Sequence, residues 1–187
     1  MNSPLLMNKM ENIYLIGLMG VGKTTIGKQL AKALQRPFFD SDKVIEETTG
    51  VDIPTIFSYE GEDGFRIREN IVIEELSNLR GIVMATGGGA IILPENREIL
   101  KSTGFVVYLR CSIDKILYRT RHDTQRPLLQ TANPRQRLQS LLAQREPLYK
   151  ECADFQIDSG AMPGKAVVKA ILQQYQAVME KNEKIAS

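Results

Sequence analysis

Eight residues, Gly17 to Thr24, read GLMGVGKT. Their spacing is G-x-x-x-x-G-K-[ST], and the chemistry of that spacing is phosphate binding. Gly17, Gly20 and Gly22 let the backbone turn tightly and aim its N–H groups at phosphate oxygens. A helix that starts near Lys23 adds a dipole favourable to anions. Lys23 can reach the β- and γ-phosphates of a nucleotide, and the Thr24 hydroxyl can ligate Mg²⁺.

Two more runs carry acids or bare backbone. FFDSD, Phe38 to Asp42, puts two carboxylates at i and i+2 at the end of a strand. On a parallel sheet that edge faces the crevice where ligands bind. Asp40 can hold the metal through water, and Asp42 can accept hydrogen bonds from a substrate hydroxyl. Helix capping or a solvated loop is the plain alternative for either. ATGGGA follows a third strand, and Gly87, Gly88 and Gly89 allow a ligand or another chain segment close to the backbone. A tight turn is the alternative there. No acidic residue ends the third strand, so Asp40 is the expected acidic partner of the metal.

Arginines supply the anion-binding charge. Arg66 and Glu69 stand i,i+3 on one helix and can pair, which fixes the guanidinium. Arg145 falls on the apolar line of its helix with Leu138 and Leu141, where an arginine usually needs an anionic partner; a surface ion pair for Arg66 and a rim position with its charge in solvent for Arg145 are the alternatives. Arg126, in QRPLL, can stabilise a phosphoryl group in transfer. Arg119 and Arg121 can approach a nucleotide base or lie in solvent.

Helices and strands must position these groups. Expected strands are Asn12–Gly17, Pro37–Asp40, Ile82–Thr86, Phe105–Leu109 and Asp154–Asp158; the first, third and fourth are apolar enough to be covered on both faces. Helical spacing follows each. Ile26, Leu30 and Leu34 mark one helix, and Phe65, Val72, Leu76 and Leu79 another. Pro94 opens a short helix through Leu100. Ser112 reads as the N-cap of Ile113–Arg121, and Asn133-Pro134 starts a helix. Pro163 precedes the last, with Val168, Ile171, Leu172 and Tyr175. Strand–helix alternation predicts an α/β chain with a parallel sheet. The polar stretch 122–133 fits no element and reads as a lid, a binding loop, a disordered segment or a plain surface connection.

Composition narrows the function classes. The 187 residues carry 24 Lys and Arg against 22 Asp and Glu, a net charge of +2, which argues against nucleic-acid binding by charge alone. Cys111 and Cys152 make no disulfide framework, and the single His122 leaves little room for a His-based metal site or triad. No apolar run approaches the roughly 18 residues of a membrane-crossing helix. Reduced cysteines suit the cytoplasm. The first residues read as a short tail, with neither signal nor transit character. Those from about Lys181 to Ser187 are expected to fray.

Taken together, GLMGVGKTTIGKQLA, FFDSDKVIE, Phe57 with GEDGFRIRE, ATGGGA, QRPLL and REPLYKECAD resemble the shikimate kinase family. The blocks stand in the family's order from about Asn12 to Tyr175. The resemblance implies a three-layer P-loop kinase fold: a five-stranded parallel sheet of order 2-3-1-4-5, helices on both faces and a mobile lid at about 122–133. The length suggests one domain over residues 1–187 with its core at about 12–175, and a monomer is expected. The implied reaction is transfer of the γ-phosphate of ATP, with Mg²⁺, to the 3-hydroxyl of shikimate in aromatic amino-acid biosynthesis. The resemblance puts Gly20, Val21, Gly22, Lys23, Thr24, Thr25, Arg119 and Arg126 at ATP, and Thr24 and Asp40 at the metal. Asp42, Arg66, Gly87, Gly88, Gly89 and Arg145 go to shikimate. Lys23, Asp42 and Arg126 are the implied catalytic set, and the adenine falls between Arg119 and the loop Ser159–Pro163. A gluconate-type kinase would share the phosphate loop but differ around Asp42, Arg66 and Gly87–Gly89. A GTPase switch would carry an NKxD-like motif, which the chain lacks.

Overall fold

The apolar run NIYLI forms strand β1 (Asn12–Ile16), and every residue in it is buried. A strand with no polar alternation suits the centre of a sheet covered on both faces. β1 lies there in the computed structural model. Among the described residues, 12–121 and 131–186, five parallel strands run in the order β2-β3-β1-β4-β5. The others are β2 (Phe38–Asp40), β3 (Val83–Ala85), β4 (Gly104–Arg110) and β5 (Phe155–Asp158). β1 is flanked by β3 on one side and β4 on the other, so the chain order reverses at its carboxyl end. That reversal opens the crevice into which the phosphate loop projects.

Helices cover both faces, as the resemblance implies. Helix α1 (Lys23–Leu34) packs on β1 and β3 and against the last helix, α7 (Gly164–Ala186), which also meets β5. Across the sheet, α4 (Pro94–Thr103) packs on β4, on α3 (Ile53–Ser77) and on α6 (Pro134–Cys152). Two shorter helices, α2 (Ser41–Thr49) and α5 (Ile113–Thr120), lie beside the crevice. Ile13, Leu15, Leu30, Val107 and Ile171 are fully buried, each worth about 1.5–3 kcal/mol of apolar transfer. The buried Tyr14 hydroxyl accepts from Asn12 Nδ2 at 2.9 Å and shares a hydrogen bond with Thr103 Oγ1, also at 2.9 Å.

Several helix ends fall where the residue types put them. Ser112 Oγ accepts from Lys115 N, and Asn133 Oδ1 accepts from Gln136 N with Pro134 as the first helical residue. Other expectations need correction. Helix α2 starts directly after β2, and only Ser41 and Ile45 are buried in it, so it carries no apolar period to read. Gly61 (φ 71°, ψ −173°) breaks α3 into two segments. Leu79 lies past the end of α3 and is exposed, so it does not belong to that apolar stripe. Residues 181–186 continue α7 instead of fraying. The amino-terminal tail, Arg126 and all of the expected lid but 131–133 lie outside the described residues.

Candidate active site

The phosphate loop joins β1 to α1. Gly22 is the N-cap of α1 with φ 100°, a left-handed conformation that a side chain would strain, and no side chain caps the helix. The first amides of α1 therefore remain available to an anion. Lys23 is nearly buried, and its Nζ donates to the carbonyls of Gly17 at 2.7 Å and Leu18 at 2.8 Å. These bonds hold the ammonium over the loop. Thr24 Oγ1 donates to Asp40 Oδ2 at 2.7 Å, so the hydroxyl and the carboxylate expected at the metal are in direct contact.

Asp40 has a second task. Its Oδ1 accepts from Asp42 N at 3.2 Å and caps α2. The helix-cap alternative raised by the sequence therefore holds together with the position beside Thr24. Ser41, fully buried between the two acids, accepts from the Gly87 amide at 3.1 Å. This bond ties the FDSD run to the glycine turn.

Around that turn the arginines converge. Arg66 is buried on the second segment of α3; its Nη1 donates to Glu69 Oε2 at 2.5 Å and its Nη2 to Glu62 Oε1 at 2.9 Å. Burial works against its charge, but the two glutamates raise its pKa overall. Glu69 is fully buried. Burial pushes its carboxyl up to about 7, opposed by Arg66 and reinforced by the charge of Asp42. Arg145, on α6, is 6% exposed and close enough to favour the ionised form of Glu69.

The glycines have concrete reasons. A Cβ on Gly87 would lie 2.6 Å from Glu69 Oε1 and 2.7 Å from Asp42 Oδ1. One on Gly89 would overlap the Arg66 guanidinium, with Cζ at 2.6 Å. The close approach expected at this turn is made by the protein's own charged side chains.

One cavity of about 1140 Å³ joins these parts. The phosphate loop lines one region, Asp42, Arg66, Glu69 and Arg145 another, and Arg119 with Ser159, Met162 and Pro163 a third. Arg119 Nη1 donates to Gly20 O at 3.3 Å and Val21 O at 3.1 Å, and its Nη2 donates to Ser159 O at 3.2 Å. Ser159 Oγ donates to Val21 O at 2.5 Å. Arg119 and the loop after β5 thus meet at the phosphate loop. Arg121 instead stacks over Tyr118 at 3.9 Å and does not line the cavity.

A family model described as shikimate kinase matches residues 19–176, which include most of the phosphate loop, Asp42, Arg66, the glycine turn and Arg145. The chain belongs to the shikimate kinase family. It is 53% identical over 170 residues to the shikimate kinase of Methylococcus capsulatus, covering 91% of this chain and 95% of that one. It is 54% identical over 169 residues to that of Thioalkalivibrio sulfidiphilus, covering 90% and 89%. Among solved structures, the shikimate kinase from Acinetobacter baumannii in complex with shikimate superposes with a TM-score of 0.88 at 48% identity, covering 92% of this chain and 96% of that one.

For this shikimate kinase family member, the sequence missed some of the supports of the site. Ser41, Ser159 and Tyr149 bond to backbone far away in the chain, and no local pattern marks such bonds. Glu69 was legible as the partner of Arg66, but its full burial was not. The oxygen-only set at Thr24 and Asp40 fits Mg²⁺, which takes one or two protein ligands and completes its shell with phosphate and water oxygens. No described helix is long and apolar enough to cross a membrane.

Proposed function

We propose that this chain transfers the γ-phosphate of ATP to the 3-hydroxyl of shikimate, giving shikimate 3-phosphate and ADP for aromatic amino-acid biosynthesis. The observation that carries this reading is the single cavity with the phosphate loop and the Asp42–Arg66–Arg145 pocket on its walls. The triphosphate lies along the loop amides and the start of α1, and the adenine lies by Arg119 and Ser159. Lys23 exchanges its two carbonyl partners for phosphate oxygens. Thr24 and Asp40 would hold Mg²⁺, which when bound neutralises charge on the β- and γ-phosphates.

In the acceptor pocket, Arg66 and Arg145 bind the carboxylate of shikimate. Opposed guanidinium forks suit that planar anion. Asp42 accepts from a ring hydroxyl and aims the acceptor oxygen at the γ-phosphate. Gly87, Gly88 and Gly89 form the floor of the pocket. Arg126 is assigned, on the family resemblance, to the phosphoryl group in transfer. Positioning and charge neutralisation supply most of the catalysis of such a reaction. The reading includes a monomer working in the cytoplasm.

The test is ADP release coupled to an indicator reaction, with ATP, Mg²⁺ and shikimate, run beside gluconate and nucleoside monophosphates. Release with shikimate alone is the expected result. Faster release with gluconate or a nucleoside monophosphate would overturn the acceptor assignment.

A further inference from the structure

Tyr149 lies on α6 one turn beyond Arg145 and is fully buried. Its hydroxyl donates to the Gly88 carbonyl at 2.5 Å, across 61 residues of chain. Its ring stacks on Tyr108 of β4, with centroids 4.9 Å apart and planes at 22°. Gly88 and Arg145 line the cavity, and Tyr149 does not.

The helix around it has a gap. Pro147 stands inside α6, between Arg145 and Tyr149. A proline has no N–H for the carbonyl four residues back, here Ala143, and its ring crowds that carbonyl. The backbone ladder is therefore interrupted beside the arginine that must face the acceptor. The Tyr149 hydroxyl is a tie of another kind, from this helix to the glycine turn. At its other end, the tie reaches a turn that touches the phosphate loop. A Cβ on Gly88 would lie 3.3 Å from Met19 N and 3.5 Å from Gly17 O. Burial raises the phenol pKa, with the Arg145 guanidinium opposing it, so the hydroxyl remains a protonated donor at physiological pH.

We propose that Tyr149 is a positioning residue for the acceptor: its hydroxyl fixes the Gly88 turn and Arg145 relative to each other without touching either substrate. The proposal rests on the phosphotransfer reading above. In it, the Gly88 carbonyl and the Arg145 guanidinium are two walls of one pocket that meet at the Tyr149 hydroxyl, which bonds to both. Losing that hydroxyl leaves a buried acceptor unsatisfied and the two walls free to drift apart.

The test compares Tyr149→Phe with Tyr108→Phe. The first removes the tie and keeps the stacked ring. The second removes the other hydroxyl of the stacked pair and keeps the tie. Tyr149→Phe is expected to raise the KM for shikimate about tenfold, a small misplacement of binding groups, with the KM for ATP shifted less than about twofold. Tyr108→Phe is expected to leave the KM for shikimate within about twofold of the parent. An unchanged shikimate KM in Tyr149→Phe, an equal rise for ATP, or an equal effect of Tyr108→Phe would overturn the proposal. If Tyr149→Phe fails to fold, the parent protein with tyrosine labelled at the ring Cζ provides the test by NMR. The Tyr149 signal should shift when shikimate is added and stay put with ATP alone; no shift with shikimate overturns the proposal. A parent that releases no ADP with shikimate overturns the phosphotransfer reading instead, and this is distinguished by the parent assay.

Discussion

The Thr24 hydroxyl donates to Asp40 Oδ2 at 2.7 Å, while the other oxygen of the same carboxylate accepts from Asp42 N at 3.2 Å. One side chain therefore links the start of α1, at the phosphate loop, to the start of α2, beside Asp42. The two oxygens separate two roles. Asparagine caps helices about as well as aspartate, so Asp40→Asn should keep α2 and change the melting temperature little. Its lost charge should weaken Mg²⁺ binding by on the order of tenfold, read as a rightward shift in the Mg²⁺ titration of turnover. Asp40→Ala should add a stability loss of about 1 kcal/mol from the missing cap. A Mg²⁺ titration unchanged in Asp40→Asn would exclude Asp40 from the metal site.

Lys23 is held in place before any nucleotide arrives, by two carbonyls of its own loop. Lys23→Met keeps the length of the stem and removes the charge. Losing those bonds costs stability on the order of 1 kcal/mol. Turnover should fall far more, by about 10²–10³-fold, the usual cost of one group aimed at transition-state charge. The comparison to make is kcat against the melting curve of the same preparation. Turnover within about threefold of the parent would rule out a role for Lys23 in the transfer.

Arg66 and Arg145 reach the pocket from different helices, and only Arg66 is locked by two glutamates. Replacing either with lysine keeps the charge and loses the planar fork. Shikimate affinity should drop by about ten- to a hundredfold in each variant, as for loss of a charge-assisted pair, with ATP affinity nearly unchanged. Arg66→Lys should also lower the melting temperature more than Arg145→Lys, because it disturbs the partner of a buried carboxylate. Calorimetric titrations with each substrate separate the two effects. Equal losses for ATP and shikimate would contradict the assignment.

The parts that were legible in the sequence are those whose residue types serve a local purpose. Gly22, Lys23 and Thr24 act within one loop, and Arg66 pairs with Glu69 one helical turn away, so spacing alone exposes them. Apolar strands also announce themselves, because both their faces are covered. What was hidden depends on chain folding. Ser41 meets Gly87 across 46 residues and Tyr149 meets Gly88 across 61. Helix α2 was invisible because only two of its residues are buried. Leu79 misleads because its spacing continues the stripe of α3 beyond the point where the helix stops.

Glu69 gives the last prediction, a pH dependence of known sign. Its carboxyl titrates at about 7 in the folded protein against an ordinary value of 4.5, chiefly because it is buried. A group whose folded pKa is raised binds its proton more tightly in the native state. Its contribution to stability is complete below about 4.5 and is lost as pH rises through about 7. The slope is at most about 1.4 kcal/mol per pH unit within that window. Glu69→Gln keeps the shape, cannot ionise and should flatten this part of the stability profile, measured by urea denaturation between those pH values. The same proton bears on the acceptor. Ionised Glu69 places a negative charge beside Arg66, Asp42 and Arg145, the groups proposed to meet the shikimate carboxylate. Shikimate affinity should therefore weaken as pH rises through about 7 and binding should take up a proton, detectable by calorimetry in buffers of different ionisation enthalpy. In Glu69→Gln that proton uptake should vanish. If the parent bound shikimate without proton uptake near this pH, and its stability profile matched that of Glu69→Gln, Glu69 would be ionised throughout and the linkage would be wrong.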